Sequence, residues 1–255
     1  MTGPLRGLGA VVAVTALAAL SGCSPPHSNQ TARNALVLGI DVSGSFRAQH
    51  YDDAIDFAAY YLYGHLHGLG GMQKPTAVFV GSVGGDRPGE MKSFHPIEDF
   101  QNKSVDQIAQ DMRTWFPPED RLTDFNAFIS RLASLIKARN LILAPINIVL
   151  LSDGEPDYPG MSARDSLGPY GKVDLSPLEY LSRSVTVRLL YATPTVDSRW
   201  EHNVKRNRVR MWTLDGQVMT GWRAQLAPDE PPEQQDRLWS WIADNVDFRV
   251  RARIL

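Results

Sequence analysis

The strongest constraint on the fold is a set of short runs apolar on both faces, alternating with segments of helical period. Ala35 to Ile40, Thr76 to Val83, Ile146 to Leu151 and Val185 to Tyr191 are the runs. Between them, Tyr51, Ala54, Ile55, Ala58, Ala59 and Leu62 fall on one helical face. Val105, Ile108, Ala109 and Met112 make a second helical stripe, closed by Pro117-Pro118, and Phe125, Phe128, Ile129, Leu132, Leu135 and Ile136 make a third. A strand apolar on both faces must be covered on both, and the intervening helices supply the cover. The expected fold class is therefore α/β, with a mostly parallel central sheet and helices on both faces.

Further along, Val209 to Leu214 repeats the strand pattern, and a short strand is expected around Met91 to His95. Trp200 to Arg208 is expected to be helical, and Asp215-Gly216 to turn a hairpin into Val218 to Gly221. Leu238, Trp239, Trp241, Ile242 and Val246 mark a last helix with Trp241 in the core, and Phe248 to Leu255 reads as a final strand. With 255 residues, 43% of them apolar, the chain can bury one good-sized core. Its 26 basic and 28 acidic residues nearly cancel, which gives no electrostatic drive toward nucleic acid.

The first residues differ in kind. Arg6 precedes a run of small apolar residues from Leu8 to Leu20, shorter than a membrane span and patterned as a secretory signal. The run ends in Leu20-Ser21-Gly22-Cys23, which resembles the bacterial lipobox, where the Cys is acylated and becomes the first residue after cleavage. Cys23 is the only cysteine, so the chain has no internal disulfide, and acylation would consume its thiol. The expected organisation is a signal peptide over 1–22, a lipidated Cys23 with a tether to residue 34, and a domain over 35–255. Localisation in a bacterial cell envelope, held to the membrane by lipid, follows from that reading.

In open parallel sheets, ligands bind beyond the carboxyl ends of the strands. Two strands end in acid-containing polar loops there, Asp41-Val42-Ser43-Gly44-Ser45 and Ser152-Asp153-Gly154, and the loop before the third helix brings Thr123 to the same edge. Taken alone, Asp41 to Ser45 also reads as a strand-to-helix turn in which Ser43 or Ser45 caps the helix. Taken together, Asp41-x-Ser43-x-Ser45, Thr123 and Asp153 resemble the metal-ion-dependent adhesion site of von Willebrand factor A domains, a Rossmann-like fold. The likeness runs from about residue 35 to 246.

The resemblance implies that Ser43, Ser45 and Thr123 ligate a divalent cation directly while Asp41 and Asp153 act largely through water. Mg²⁺, with Mn²⁺ or Ca²⁺ as alternatives, suits a set of hard oxygen donors and retains waters. The partner it implies is an envelope protein offering an Asp or Glu carboxylate to the metal, with Glu155 and Asp157 as rim residues or simply solvated loop. No catalysis is expected: Ser43 stands where a dehalogenase-type phosphatase needs its acid/base, and there is no nucleophile elbow, phosphate loop or zinc spacing. A metal-dependent hydrolase and a structural lipoprotein with a vestigial site are the rival readings.

Other signals are weaker. The spacing of Asp153, Glu155 and Asp157 begins like an EF-hand loop but lacks its glycine position and later Glu. His65 and His67, two apart on a helix, do not face each other. Gly81, Gly84, Gly85 and Gly89 suit a turn between strands better than a phosphate cradle. Lys205 to Arg210 and Arg249, Arg251 and Arg253 read as solvated charge on a helix end and an edge strand.

Overall fold

The computed structural model describes residues 34–90, 92–158 and 168–248. The signal peptide, Cys23, nearly all of the tether, Met91 and residues 249–255 lie outside them, and so does the strand expected beyond Phe248.

Along the chain, β1 (Ala35–Asp41) leads into α1 (Gly44–Gln49) and α2 (Tyr51–His67). Then follow β2 (Ala77–Val83), β3 (His95–Pro96), α3 (Val105–Trp115), α4 (Phe125–Ala138) and β4 (Ile146–Leu151). The last part holds α5 (Ser176–Glu179), β5 (Val185–Ala192), α6 (Pro194–Asn203), β6 (Val209–Asp215), α7 (Gly216–Met219) and α8 (Asp236–Asn245). The strands form one sheet in the order β3-β2-β1-β4-β5-β6, parallel throughout except for β3. β1 lies in the middle, and all seven of its residues are buried.

Alternate residues of β1 serve two apolar layers, as the two-faced strand pattern requires. Leu36, Leu38 and Ile40 pack with α2, α3 and α8, whereas Ala35 and Val37 pack with α4, α5 and α6. At Gly39 a Cβ would come within 2.9 Å of Phe128 on α4 and 2.7 Å of Leu150 on β4. The missing side chain is what lets α4 lie against the sheet. Arg131 crosses from α4 to β2 and the β2–β3 connection, donating to the carbonyls of Ser82 (3.0 Å) and Lys92 (2.5 Å).

Four local expectations need correction. α6 begins at Pro194, where the Thr193 hydroxyl accepts from Val196 N at 3.3 Å, and it ends at Asn203, short of Arg208. The segment after β6 is helical and makes no hairpin: Asp215 Oδ1 accepts from Gln217 N (2.6 Å) as a helix cap, and Met219 and Trp222, three apart, enter the core together. Trp239 is the fully buried tryptophan of α8, and Trp241 is only partly buried. The third strand is a two-residue pairing of His95–Pro96 with Phe79–Val80; Gly84, Gly85 and Gly89 lie between these antiparallel strands, whereas Gly81 is part of β2 itself.

Candidate functional site

Because β1 and β4 are parallel and adjacent, Asp41 and Ser152-Asp153 leave the sheet side by side at its carboxyl edge. Asp41 is completely buried. Its Oδ1 accepts from Ser43 N at 2.9 Å, which folds the backbone into a turn, and its Oδ2 accepts from the Ser152 hydroxyl at 2.5 Å. Ser152 Oγ in turn accepts from Gly154 N at 2.9 Å, and Asp153 Oδ1 accepts from Glu155 N at 3.0 Å. The loops after β1 and β4 are thereby joined through side chains.

The third loop is tied to both. Ser43 bridges to Asp120, whose N–H donates to the Val42 carbonyl at 3.2 Å, and Leu122 exchanges backbone bonds with Gly85. Three residues past Asp120, the carbonyl of Thr123 accepts from Asp157 N at 3.2 Å, linking this loop to the one after β4. Thr123 is buried, and the adjacent Asp124 caps α4 through Ala127 N (2.9 Å) while its second oxygen accepts from Gly89 N (2.9 Å).

Asp41, Ser43, Ser45, Thr123 and Asp153 therefore stand on three adjoining loops. Ser43 is the N-cap of α1, but its side chain makes no capping hydrogen bond; its hydroxyl sits 3.4 Å from that of Ser45 instead. Both hydroxyls remain at the sheet edge, and Ser45 is exposed. Glu155 and Asp157 are also exposed, beside this group.

Electrostatics single out Asp41. Burial, and secondarily the nearby Asp153 carboxylate, push its pKa up to about 7, against which the hydroxyls of Ser152 and Ser43 and the Ser43 N–H act only in part. A buried acid with a second acid nearby is costly to ionise unless a proton or a cation joins them. Neutral hydroxyls and two carboxylates are a donor set that fits a hard divalent cation. Among the described residues no three His, Cys, Asp or Glu side chains cluster as a metal site, so any site here depends on hydroxyl donors.

Supporting residues emerge that sequence reasoning passed over. Ser152 holds Asp41, its only signal a lone hydroxyl ending the most apolar strand. Gly154 adopts φ +77°, and a Cβ there would meet Leu189 at 2.6 Å; its carbonyl accepts from the Trp200 indole at 2.7 Å. The histidines on α2 are engaged elsewhere: His65 Nδ1 lies 3.1 Å from the Gln73 carbonyl, and His67 stacks on Tyr63.

No family model matches the chain, and no curated protein matches it. Among solved structures it is similar to the pilus adhesin SpaC from Lactobacillus rhamnosus GG in its open conformation, at 18% identity over 49% of this chain and 15% of that one, with a TM-score of 0.32. A second form of SpaC shows 12% identity over 85% and 30%, with a TM-score of 0.43. The human COPII-coat protein Sec24c shows 13% identity over 72% and 30%, with a TM-score of 0.42. The chain spans less than a third of the length of each of these structures. Likenesses this distant carry no function across.

Proposed function

We propose that this chain is a lipid-anchored von Willebrand factor A-type domain of the bacterial cell envelope. It holds a divalent cation, Mg²⁺ before Mn²⁺ or Ca²⁺, on Ser43, Ser45 and Thr123 with Asp41 and Asp153 behind them, and uses it to bind a partner protein. The observation that carries this reading is the completely buried Asp41 carboxylate, whose ionisation both burial and the nearby Asp153 oppose.

A bound cation supplies an electrophilic position that a partner's Asp or Glu carboxylate can fill. The chain's own residues do the rest. Ser152 and the Ser43 N–H fix the orientation of Asp41. The three loops are held together by the backbone bonds at Val42 and Thr123, so the donors are assembled before any ligand arrives and little ordering cost falls on binding. Glu155 and Asp157 form an acidic rim that disfavours partners with further negative charge beside the contacting carboxylate. Asp41 is closed off from solvent and engaged on both oxygens, so it is not placed to pass a proton to a substrate, and the reading contains no catalytic step.

Calorimetric titration with Mg²⁺ and Mn²⁺ tests it. One saturable site is expected in the wild type, lost in Asp41→Ala and weakened at least tenfold in Thr123→Ala. No saturable binding, or binding indifferent to both substitutions, refutes the metal site.

A further inference from the structure

The edge of the sheet opposite the acidic site carries its own feature. Among the described residues the exposed large apolar side chains are few, and three of them cluster where β1 begins: Leu143 is 75% exposed, Ile142 47% and Tyr180 80%. Backbone bonds place them together. Leu143 N donates to the Leu181 carbonyl at 2.8 Å, and Ala35 N donates to the Pro145 carbonyl at 2.9 Å. In register, Ala35 pairs with Ile146 and Ile146 with Val185, so the connection over 141–145 lies between the entry of the chain at Asn34 and the segment carrying Tyr180.

The backbone there is set at a cost. Leu143 has φ +75° and Asn140 φ +53°, a left-handed conformation that strains a leucine. Strain spent to hold apolar groups in water points to a surface that covers them. The surroundings are mostly basic: Lys137, Arg139 and Arg183 are exposed on the flanking segments, and Lys74 precedes Thr76, whose hydroxyl donates to the Asn34 carbonyl at 2.9 Å. Glu98 lines the same hollow as Arg139.

We propose that this edge docks onto a phospholipid bilayer, with Leu143 and Ile142 entering the acyl boundary, Tyr180 at headgroup level and the basic side chains on the phosphates. The length of chain outside the structure argues for that occupant. Only residues 24–34 separate Cys23 from β1, and a flexible chain of that length would reach on the order of 18 Å, so a domain anchored at Cys23 would be confined near the membrane with its entry point tethered to it. Exposed aliphatics, an aromatic and a basic fringe are the composition of an interfacial contact. Docked this way, the seven-residue β1, about 20 Å long, holds Asp41 and its neighbours on the far side, toward partners. The proposal rests on the reading of Cys23 as lipidated.

The full chain purified from its membrane is tested in vesicles of phosphatidylethanolamine and phosphatidylglycerol. With Cys23 acylated, Leu143→Cys and Gln49→Cys each present one free thiol for an environment-sensitive dye, the second on the opposite edge. Lipid-borne quenchers are expected to reduce emission several-fold at 143 and to leave 49 unchanged. Quenching at both positions, or at neither, overturns the proposal. The mass of Cys23 tests the anchor separately. If it is unmodified, the anchor reading falls, and the surface is decided on Cys23→Ser/Leu143→Cys with the same vesicles: quenching supports it and water-like emission overturns it.

Discussion

Asp41 concentrates the conflict between stability and binding. A carboxyl whose pKa is raised on folding binds its proton more tightly in the native state than in the unfolded chain, where ionisation begins near 3.8. Native stability is therefore fullest below that value, falls as pH rises toward about 7, and stays low above it; every tenfold gain in proton affinity on folding is worth about 1.4 kcal/mol. Asp41→Asn is expected to abolish this loss, so that without metal the variant is more stable than the wild type at pH 8 by on the order of 1–3 kcal/mol, with the advantage vanishing by pH 4. Mg²⁺ should reverse the ranking at pH 8, since at one thousand times its dissociation constant a ligand adds about 4.1 kcal/mol to the wild type alone. Thermal unfolding across pH, with and without Mg²⁺, measures both; a variant no more stable than wild type without metal contradicts the account. Gly154 is the second sensitive residue. Gly154→Ala places a side chain at φ +77° and 2.6 Å from Leu189, and a loss of about 2–4 kcal/mol is expected in urea unfolding.

At the scale of elements, Asp53 explains why the chain past β6 turns inward. Its carboxylate accepts from Tyr191 Oη (2.7 Å), Trp222 Nε1 (3.1 Å) and Arg223 Nε (2.5 Å), stapling the segment after α7 to α2. Asp53→Ala leaves three donors without their acceptor and is expected to cost about 2–4 kcal/mol, with the 216–225 segment first to lose protection in hydrogen exchange. This contact is also why that segment misled sequence reading. Asp-Gly between apolar runs is the local signal of a hairpin, and the side chain that draws the following segment inward stands more than 160 residues earlier, on α2. By contrast, β1, β2, β4 and β5 were legible because a strand buried on both faces has no polar positions to confuse its pattern, and α2 and α4 because their stripes are continuous. Trp241 was expected in the core and is only partly buried, because adjacent sides of a helix cannot be ranked until the packing of Gly64 and Gly70 against Trp239 is known. That Asp41 and the 153 loop share one edge followed from a parallel sheet; that β1 and β4 are neighbours came from the structure. Ser152 did not, since nothing in a lone serine announces the carboxylate it will face.

Over the whole molecule, the sheet separates two features. Its amino edge receives the chain from Cys23 and carries the apolar cluster at Leu143, and its carboxyl edge carries the acid-hydroxyl group. The anchor makes its own prediction: Cys23→Ser should move the protein from the membrane to the soluble fraction after cell breakage, and retention at the wild-type level would show that something other than acylation holds it. The claim on which the rest depends is that the three carboxyl-edge loops hold one cation. Crystals grown with Mn²⁺ and measured for anomalous scattering test it most directly. The account predicts a single strong peak about 2.0–2.3 Å from the hydroxyl oxygens of Ser43, Ser45 and Thr123, beside the carboxylates of Asp41 and Asp153. An empty edge at saturating Mn²⁺, or a peak held by other residues, would contradict it.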